Sequence, residues 1–180
     1  MPSNTRSQLE NWLGSIDVKG DVVDVGGLVM PVKGRTRGWE VGRYNIVDIK
    51  DEHKGVKADV VQDLNQYSGL WKGGNYDAAF CLEVMQFVWN PNIVLRNIFN
   101  NLKVGGKLYV STHLSFPQHK GTDYLRYTRL GIDRLLTEAG FAVESIAPLL
   151  STKLKELKEF YDAESKVVFN PEEIGHLVIA

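Results

Sequence analysis

The chain has 180 residues, 43% hydrophobic and 24% charged, enough for one ordinary core and not for two. Its 21 basic and 22 acidic side chains leave a net charge of −1, so the basic excess of a general nucleic-acid binder is missing. A single cysteine, Cys81, excludes an internal disulfide and a cysteine-built zinc site; no run suits a membrane span and no signal-peptide core opens the chain, so one cytoplasmic domain over 1–180 is expected.

In chain order, "SNTRSQLENWLGSI" spaces Leu9, Trp12, Leu13 and Ile16 as one helical face, with Ser3 or Asn4 as its cap. Short β-branched runs bounded by turn residues follow at "DVVDV", "YNIVDI", "ADVV", "DAAFCL", "KLYVST", "FAVESIAP" and "HLVIA", and each reads as a strand. The stretch "LVMPVKGRTRGWEVGR" carries Pro31 and glycines at 34, 38 and 42 and reads as a loop. Asn90 before Pro91 marks a helix start, with Val94, Leu95, Ile98 and Leu102 on one face and "VGGK" as its stop. Thr128 caps another helix, with Ile132, Leu135, Leu136 and Ala139 inward and Gly140 at its end. "TKLKELKEFYDA" reads as a third, with Leu154, Leu157 and Tyr161 inward. Strands alternating with helices predict an α/β fold with a mainly parallel sheet.

Ligands of such sheets sit outside the carboxyl ends of the strands. Four successive strands carry an acid there: Asp24 before Gly26-Gly27, Asp48 at a tip, Asp63 just beyond the third run and Glu83 just beyond the fourth. Such an edge repels phosphate and suits a ligand offering hydroxyls, amines and positive charge. Taken singly, each has a plainer role: Asp48 and Asp63 as solvated loop acids, Glu83 as a helix cap, Cys81 as a small core residue. After the fifth strand, "THLSFPQHKGTDYLRYT" gathers His113, His119, Asp123, Tyr124, Arg126 and Tyr127. These either face a reacting group or pack, with Asp123 paired to Arg126 or Arg129. Nothing in their spacing fixes a metal geometry, and no metal is assigned.

Together with "NLKVGGKLYVSTHLSF" and "DYLRYTRLGIDRLLTEAGF", this series resembles the class I S-adenosylmethionine-dependent methyltransferases, of the small-molecule, type 11-like kind, over roughly residues 21–146. The resemblance implies a Rossmann-like sheet of seven strands in the order 3-2-1-4-5-7-6, the last antiparallel, with helices on both faces and shortened first crossovers. It implies S-adenosyl-L-methionine as cofactor, S-adenosyl-L-homocysteine as product and a small-molecule methyl acceptor. Asp24, Val25, Gly26 and Gly27 would border its amino-acid end, and Asp48 with Ile49 its ribose. Asp63 and Leu64 would meet the adenine, and Cys81, Leu82 and Glu83 would line the methionine end. His113, Asp123 and Arg126 would be the catalytic candidates on the acceptor side, with His119 and Tyr124 as substrate contacts. Two departures stand out: the usual Gly-x-Gly turn is Gly26-Gly27-Leu28, and the family's frequent histidine after the fourth strand is Phe87.

A nicotinamide dehydrogenase needs G-x-G-x-x-G opening a helix, where this chain has Pro31. A methyltransferase for exocyclic base amines shows Asp/Asn-Pro-Pro-Tyr where this chain has "CLEV". The remaining competitor is a non-catalytic protein that binds S-adenosylmethionine or another nucleoside, or serves as an interaction module, on the same fold.

Overall fold

The computed structural model describes residues 4–115, 119, 121–150 and 173–180, the side chains of Asn4, Thr5 and Glu173 excepted. The predicted cap Ser3 and the helix expected at "TKLKELKEFYDA" lie outside the described residues.

Helix α1 (Asn4–Leu13) leads into β1 (Asp17–Val25). Strand β2 (Gly38–Asp48), a two-strand hairpin β3 (Glu52–His53) and β4 (Val56–Lys57), and β5 (Val60–Val61) follow. Then come β6 (Tyr76–Leu82), α2 (Pro91–Asn101), β7 (Leu102–His113), α3 (Arg129–Ala139), β8 (Ser145–Leu150) and β9 (Glu173–Ile179). The main sheet runs β5-β2-β1-β6-β7-β9-β8. With the hairpin strands set aside, this is the expected order 3-2-1-4-5-7-6. The pairs from β5 to β7 are parallel, and β9 runs antiparallel to both neighbours.

Alternation along the strands divides the core between two faces. Val23, Val25, Ala79 and Cys81 pack beneath Val94, Leu95 and Ile98 of α2 and Ile132 and Leu136 of α3. On the other face Val18, Val22, Phe80 and Tyr109 meet Leu9 and Leu13 of α1 and Val32 of the first loop. The Phe80 and Tyr109 rings stack at 4.7 Å.

Several boundaries differ from the sequence reading, each for a tertiary reason. The loop after β1 ends at Arg37, because Gly38 onward pairs with Asp17–Gly20, and Gly42 is the extra residue of a bulge at Gly20/Asp21. Helix α2 stops at Asn101, and "VGGK" does not terminate it but lies in β7. Leu102 already pairs with Tyr76, and the residues after it bulge before Lys107 pairs with Ala78. Asn90 precedes Pro91 as expected, yet its side chain makes no capping bond. Thr128 does cap α3, accepting from the Gly131 N–H at 3.1 Å, and Gly140 ends it with φ 107°. The second crossover holds a hairpin turning at Lys54-Gly55, both at positive φ, in place of a helix.

Candidate functional site

The carboxyl ends of β1, β2, β5 and β6 open onto one cavity of about 540 Å³, within the usual range for small-molecule sites. Its walls include Asp24, Gly26, Gly27, Asp48, Ile49, Asp63, Leu64, Leu82 and Glu83. Val25 and Cys81 are fully buried behind this wall, and burial pushes the Cys81 thiol up to about 12, so it stays a neutral core group.

The first turn is built by crowding. Gly26 has φ 75° and a Cβ there would strike the Val84 side chain; a Cβ on Gly27 would strike the Asp24 carboxylate. Both positions therefore need glycine for packing before any ligand is considered. Gly26→Ala is expected to cost about 1–3 kcal/mol, from left-handed strain plus displacement of Val84. Urea unfolding checks this; an unchanged midpoint would show that the turn relaxes freely.

Asp24 faces the helixless loop. Its Oδ2 accepts from the Val32 N–H at 2.7 Å and the Tyr44 hydroxyl at 2.6 Å, and the residue is 2% exposed. Burial lifts its pKa to about 6 against the opposing pull of those two donors. Burial and the adjacent Asp24 both raise the Tyr44 phenol, which keeps its proton and donates.

Asp48 is placed more openly. Its Oδ2 takes a long bond from the Leu28 N–H (3.3 Å) and its Oδ1 one from the Lys50 N–H (3.2 Å), so acceptor capacity remains on both oxygens. Asp63 Oδ1 accepts from the Asn65 N–H and side-chain amide at 2.9 and 3.0 Å. Asn65 Oδ1 in turn receives the Trp89 and Asn90 N–H groups, which ties the wall beneath β5 to the start of α2. The fully buried Asn97 of α2 donates to the carbonyls of Leu64 and Gln66, so Leu64 is held from behind.

Glu83 adopts φ 59°, a costly conformation for a residue with a side chain, and it sits where β6 meets the cavity. Its N–H donates to Ser111 Oγ (2.9 Å) while the Ser111 hydroxyl donates to Glu83 Oε1 (2.6 Å). Its other oxygen pairs with His113 Nε2. Burial pushes the Glu83 carboxyl up, but the bonds from His113 and Ser111 outweigh it, and its pKa lies below the ordinary value. His113 itself is 4% exposed and is not on the cavity wall.

The other acceptor-side candidates form a bracket next to the cavity. Arg126 grips Asp123 with both terminal nitrogens, and His119 donates its backbone N–H to Asp123 Oδ2 at 2.7 Å. The Asp123 side chain is fully covered, and these donors hold its carboxyl well below the usual range. Tyr124 is half exposed and outside the wall. A backbone bond from Tyr124 N to Gln86 O and a side-chain bond from the Tyr127 hydroxyl to Met85 O seat this bracket on the turn after β6, which leaves Thr122 as its cavity-facing residue. The His119 ring meets the wall residue Phe87 edge-on at 5.0 Å.

Sequence reasoning missed much of the wall: Arg6 and Leu9 from α1, Val29 and Met30 from the first loop, Gln62, Asn65 and Thr122. The only signal was the apolar "LVM" inside a polar loop, a poor place for hydrophobic residues unless they face a ligand or core. Among the described residues no three or more His, Cys, Asp or Glu are grouped to hold a metal, and no helix is long and apolar enough to cross a membrane.

No family profile matches the chain, and no curated protein is significantly similar to it in sequence. Its fold is widely shared. An S-adenosylmethionine-dependent methyltransferase from Mesorhizobium loti superposes with a TM-score of 0.63 at 13% identity, over 97% of this chain and 96% of that one. The 1,6-didemethyltoxoflavin-N1-methyltransferase of Burkholderia thailandensis, solved with bound 1,6-didemethyltoxoflavin and S-adenosylhomocysteine, gives 0.59 at 14% identity over 98% of this chain and 75% of that one. The [4+2]-cyclase SpnF gives 0.62 at 13% identity over 98% and 80%, so one architecture serves more than one reaction. The likeness is one of fold, and the fold of this chain is that of the class I S-adenosylmethionine-dependent methyltransferases.

Proposed function

We propose that the protein is an S-adenosylmethionine-dependent methyltransferase acting on a small molecule. The observation that carries this is the convergence of Asp48, Asp63 and Glu83, from three different strand ends, on one cavity floored by Gly26 and Gly27. The donor set fits the cofactor. Asp48 has acceptor capacity for a ribose diol, Asp63 and Leu64 offer a carboxylate beside an apolar side chain for an amino-purine, and ionised Glu83 suits a cationic amino-acid and sulfonium end. When bound, the cofactor would supply an activated methyl group, which needs alignment more than covalent help.

The chain's own residues would then do four things. Asp48 and Asp63 orient the nucleoside. Glu83, fixed by Ser111 and His113, sets the charge beside the transferring group. The Asp123–Arg126 pair positions Thr122 and the acceptor side without touching the acceptor. Where an acceptor must shed a proton, the Glu83–His113 pair is the cavity-edge route for it.

Asp48→Ala tests the reading. Asp48 lies at a strand tip outside the core, so the fold should survive. Affinity for S-adenosylhomocysteine should drop by about 1.5–3 kcal/mol, the scale of hydrogen bonds to a charged group. Unchanged affinity by calorimetry would refute the ribose assignment. A panel of small acceptors with labelled S-adenosylmethionine then separates an enzyme from a protein that only binds the nucleoside.

A further inference from the structure

Strands β6 and β7 stop pairing at Leu82 and Ser111, so the next residue, Glu83, lies past the end of the ladder. Ser111 supplies from its side chain what the ladder no longer gives. Its Oγ accepts the Glu83 N–H at 2.9 Å, and its hydroxyl donates to Glu83 Oε1 at 2.6 Å. A hydroxyl has one proton and two lone pairs, so one serine fills both roles at once. The two bonds close a ring through Glu83's own backbone and side chain. That ring curls the carboxylate back toward its own amide and leaves few side-chain rotamers open. The Glu83 carbonyl is held as well, by Gln86 Nε2 at 2.8 Å, and His113 meets the other carboxylate oxygen. The left-handed backbone of Glu83, at φ 59°, is thus over-determined, the condition under which such strain persists. Ser111 is fully buried, whereas the Glu83 side chain keeps 31% exposure and lines the cavity. The serine therefore reaches the cavity only by way of the glutamate.

We propose that Ser111 is a positioning residue of this cavity: its hydroxyl holds Glu83 in the left-handed turn that presents the carboxylate to the ligand, and it acts only through Glu83. The proposal rests on the nucleoside reading above for what the carboxylate meets, a cationic amino-acid and sulfonium end; the clamp itself does not depend on that reading. Alanine removes both bonds of the ring. Threonine keeps the hydroxyl and adds one methyl.

Two measurements on the full chain test it. NMR of the unliganded protein reads Glu83 directly, because a positive φ brings a residue's amide and α protons close and gives a strong cross-peak between them. Wild type and Ser111→Thr should show that peak at Glu83, and Ser111→Ala should lose it. A Ser111→Ala protein that keeps the peak overturns the clamp. Calorimetry with S-adenosylhomocysteine and with adenosine, which lacks the amino-acid end, reads the consequence. Ser111→Ala should bind S-adenosylhomocysteine about tenfold or more weakly and adenosine as in wild type, and Ser111→Thr should restore the difference. Placed in the Glu83→Gln background, Ser111→Ala should change neither affinity, because two residues acting through one contact are not additive. That arm carries the same distinction if the added methyl keeps Ser111→Thr from folding. Equal losses for both ligands, no loss for either, or the full loss repeated in the Glu83→Gln background overturns the positioning role. If wild-type protein binds neither ligand, the nucleoside reading fails instead, and the cross-peak decides the clamp alone.

Discussion

Glu83→Gln is expected to weaken S-adenosylhomocysteine binding by about 1.5–3 kcal/mol while the protein stays folded. Glutamine matches the shape of glutamate and retains an oxygen for the Ser111 hydroxyl, so the bond joining the ends of β6 and β7 persists. What disappears is the charge. The wild-type carboxylate is ionised at neutral pH because His113 and Ser111 overcome its burial, and it faces the cavity where a cationic ligand end would lie. The variant presents an amide there, with its NH₂ toward His113 Nε2. Adenosine, which lacks the ammonium, serves as the control and should lose no more than about 0.5 kcal/mol, the scatter of substitutions away from a contact. Equal losses for both ligands would assign Glu83 to holding the strand ends and remove it from charge recognition.

Asp24→Asn is expected to stabilise the protein progressively as pH rises from 4 to 7. The folded-state pKa of Asp24 is raised from 3.8 to about 6, so between these values the native state binds the proton more tightly than the unfolded chain. Stability from this group is therefore complete below about pH 4 and is lost as pH climbs through 6. A shift of about two units corresponds to about 3 kcal/mol. Asparagine cannot ionise, and its side-chain oxygen still accepts from Val32 and Tyr44, so the variant escapes the loss. Asp77 and Glu83, whose pKa values are lowered, work in the opposite sense but are common to both proteins and cancel in the difference. Urea unfolding of both at pH 4 and pH 7.5 gives that difference directly. A difference that does not grow with pH would mean that Asp24 ionises in the fold without cost.

The strand runs, the capped helix at Thr128 and the strand-tip acids could be read from the chain because each rests on local chemistry. Period-two apolar runs bury their faces, Thr128 needs only its neighbour Gly131, and an acid following a strand lies at the carboxyl edge by construction. The loop between β1 and β2 was legible through Pro31. The hairpin at Lys54-Gly55 was not: its strands are two residues long and carry no alternation to detect. The roles of His113 and Asp123 were likewise out of reach. A histidine at a strand tip looks the same whether it lines a cavity or stands behind a glutamate that does, as His113 stands behind Glu83.

By itself the sequence determined an α/β architecture, the strands and their succession, and an acidic carboxyl edge, since these follow from hydrophobic periodicity and chain order. Tertiary structure alone decided which acids meet at one cavity and in what state. Asp24 is spent on Val32 and Tyr44, Asp48 keeps acceptor capacity, and Glu83 is ionised through two residues about thirty positions later. It also decided that Arg6 and Arg35, one before β1 and one after it, share Glu10. The physical reason is the same in each case. A side chain's charge and direction depend on donors and on burial brought to it from distant parts of the chain, and neither leaves a periodic trace in the residues around it.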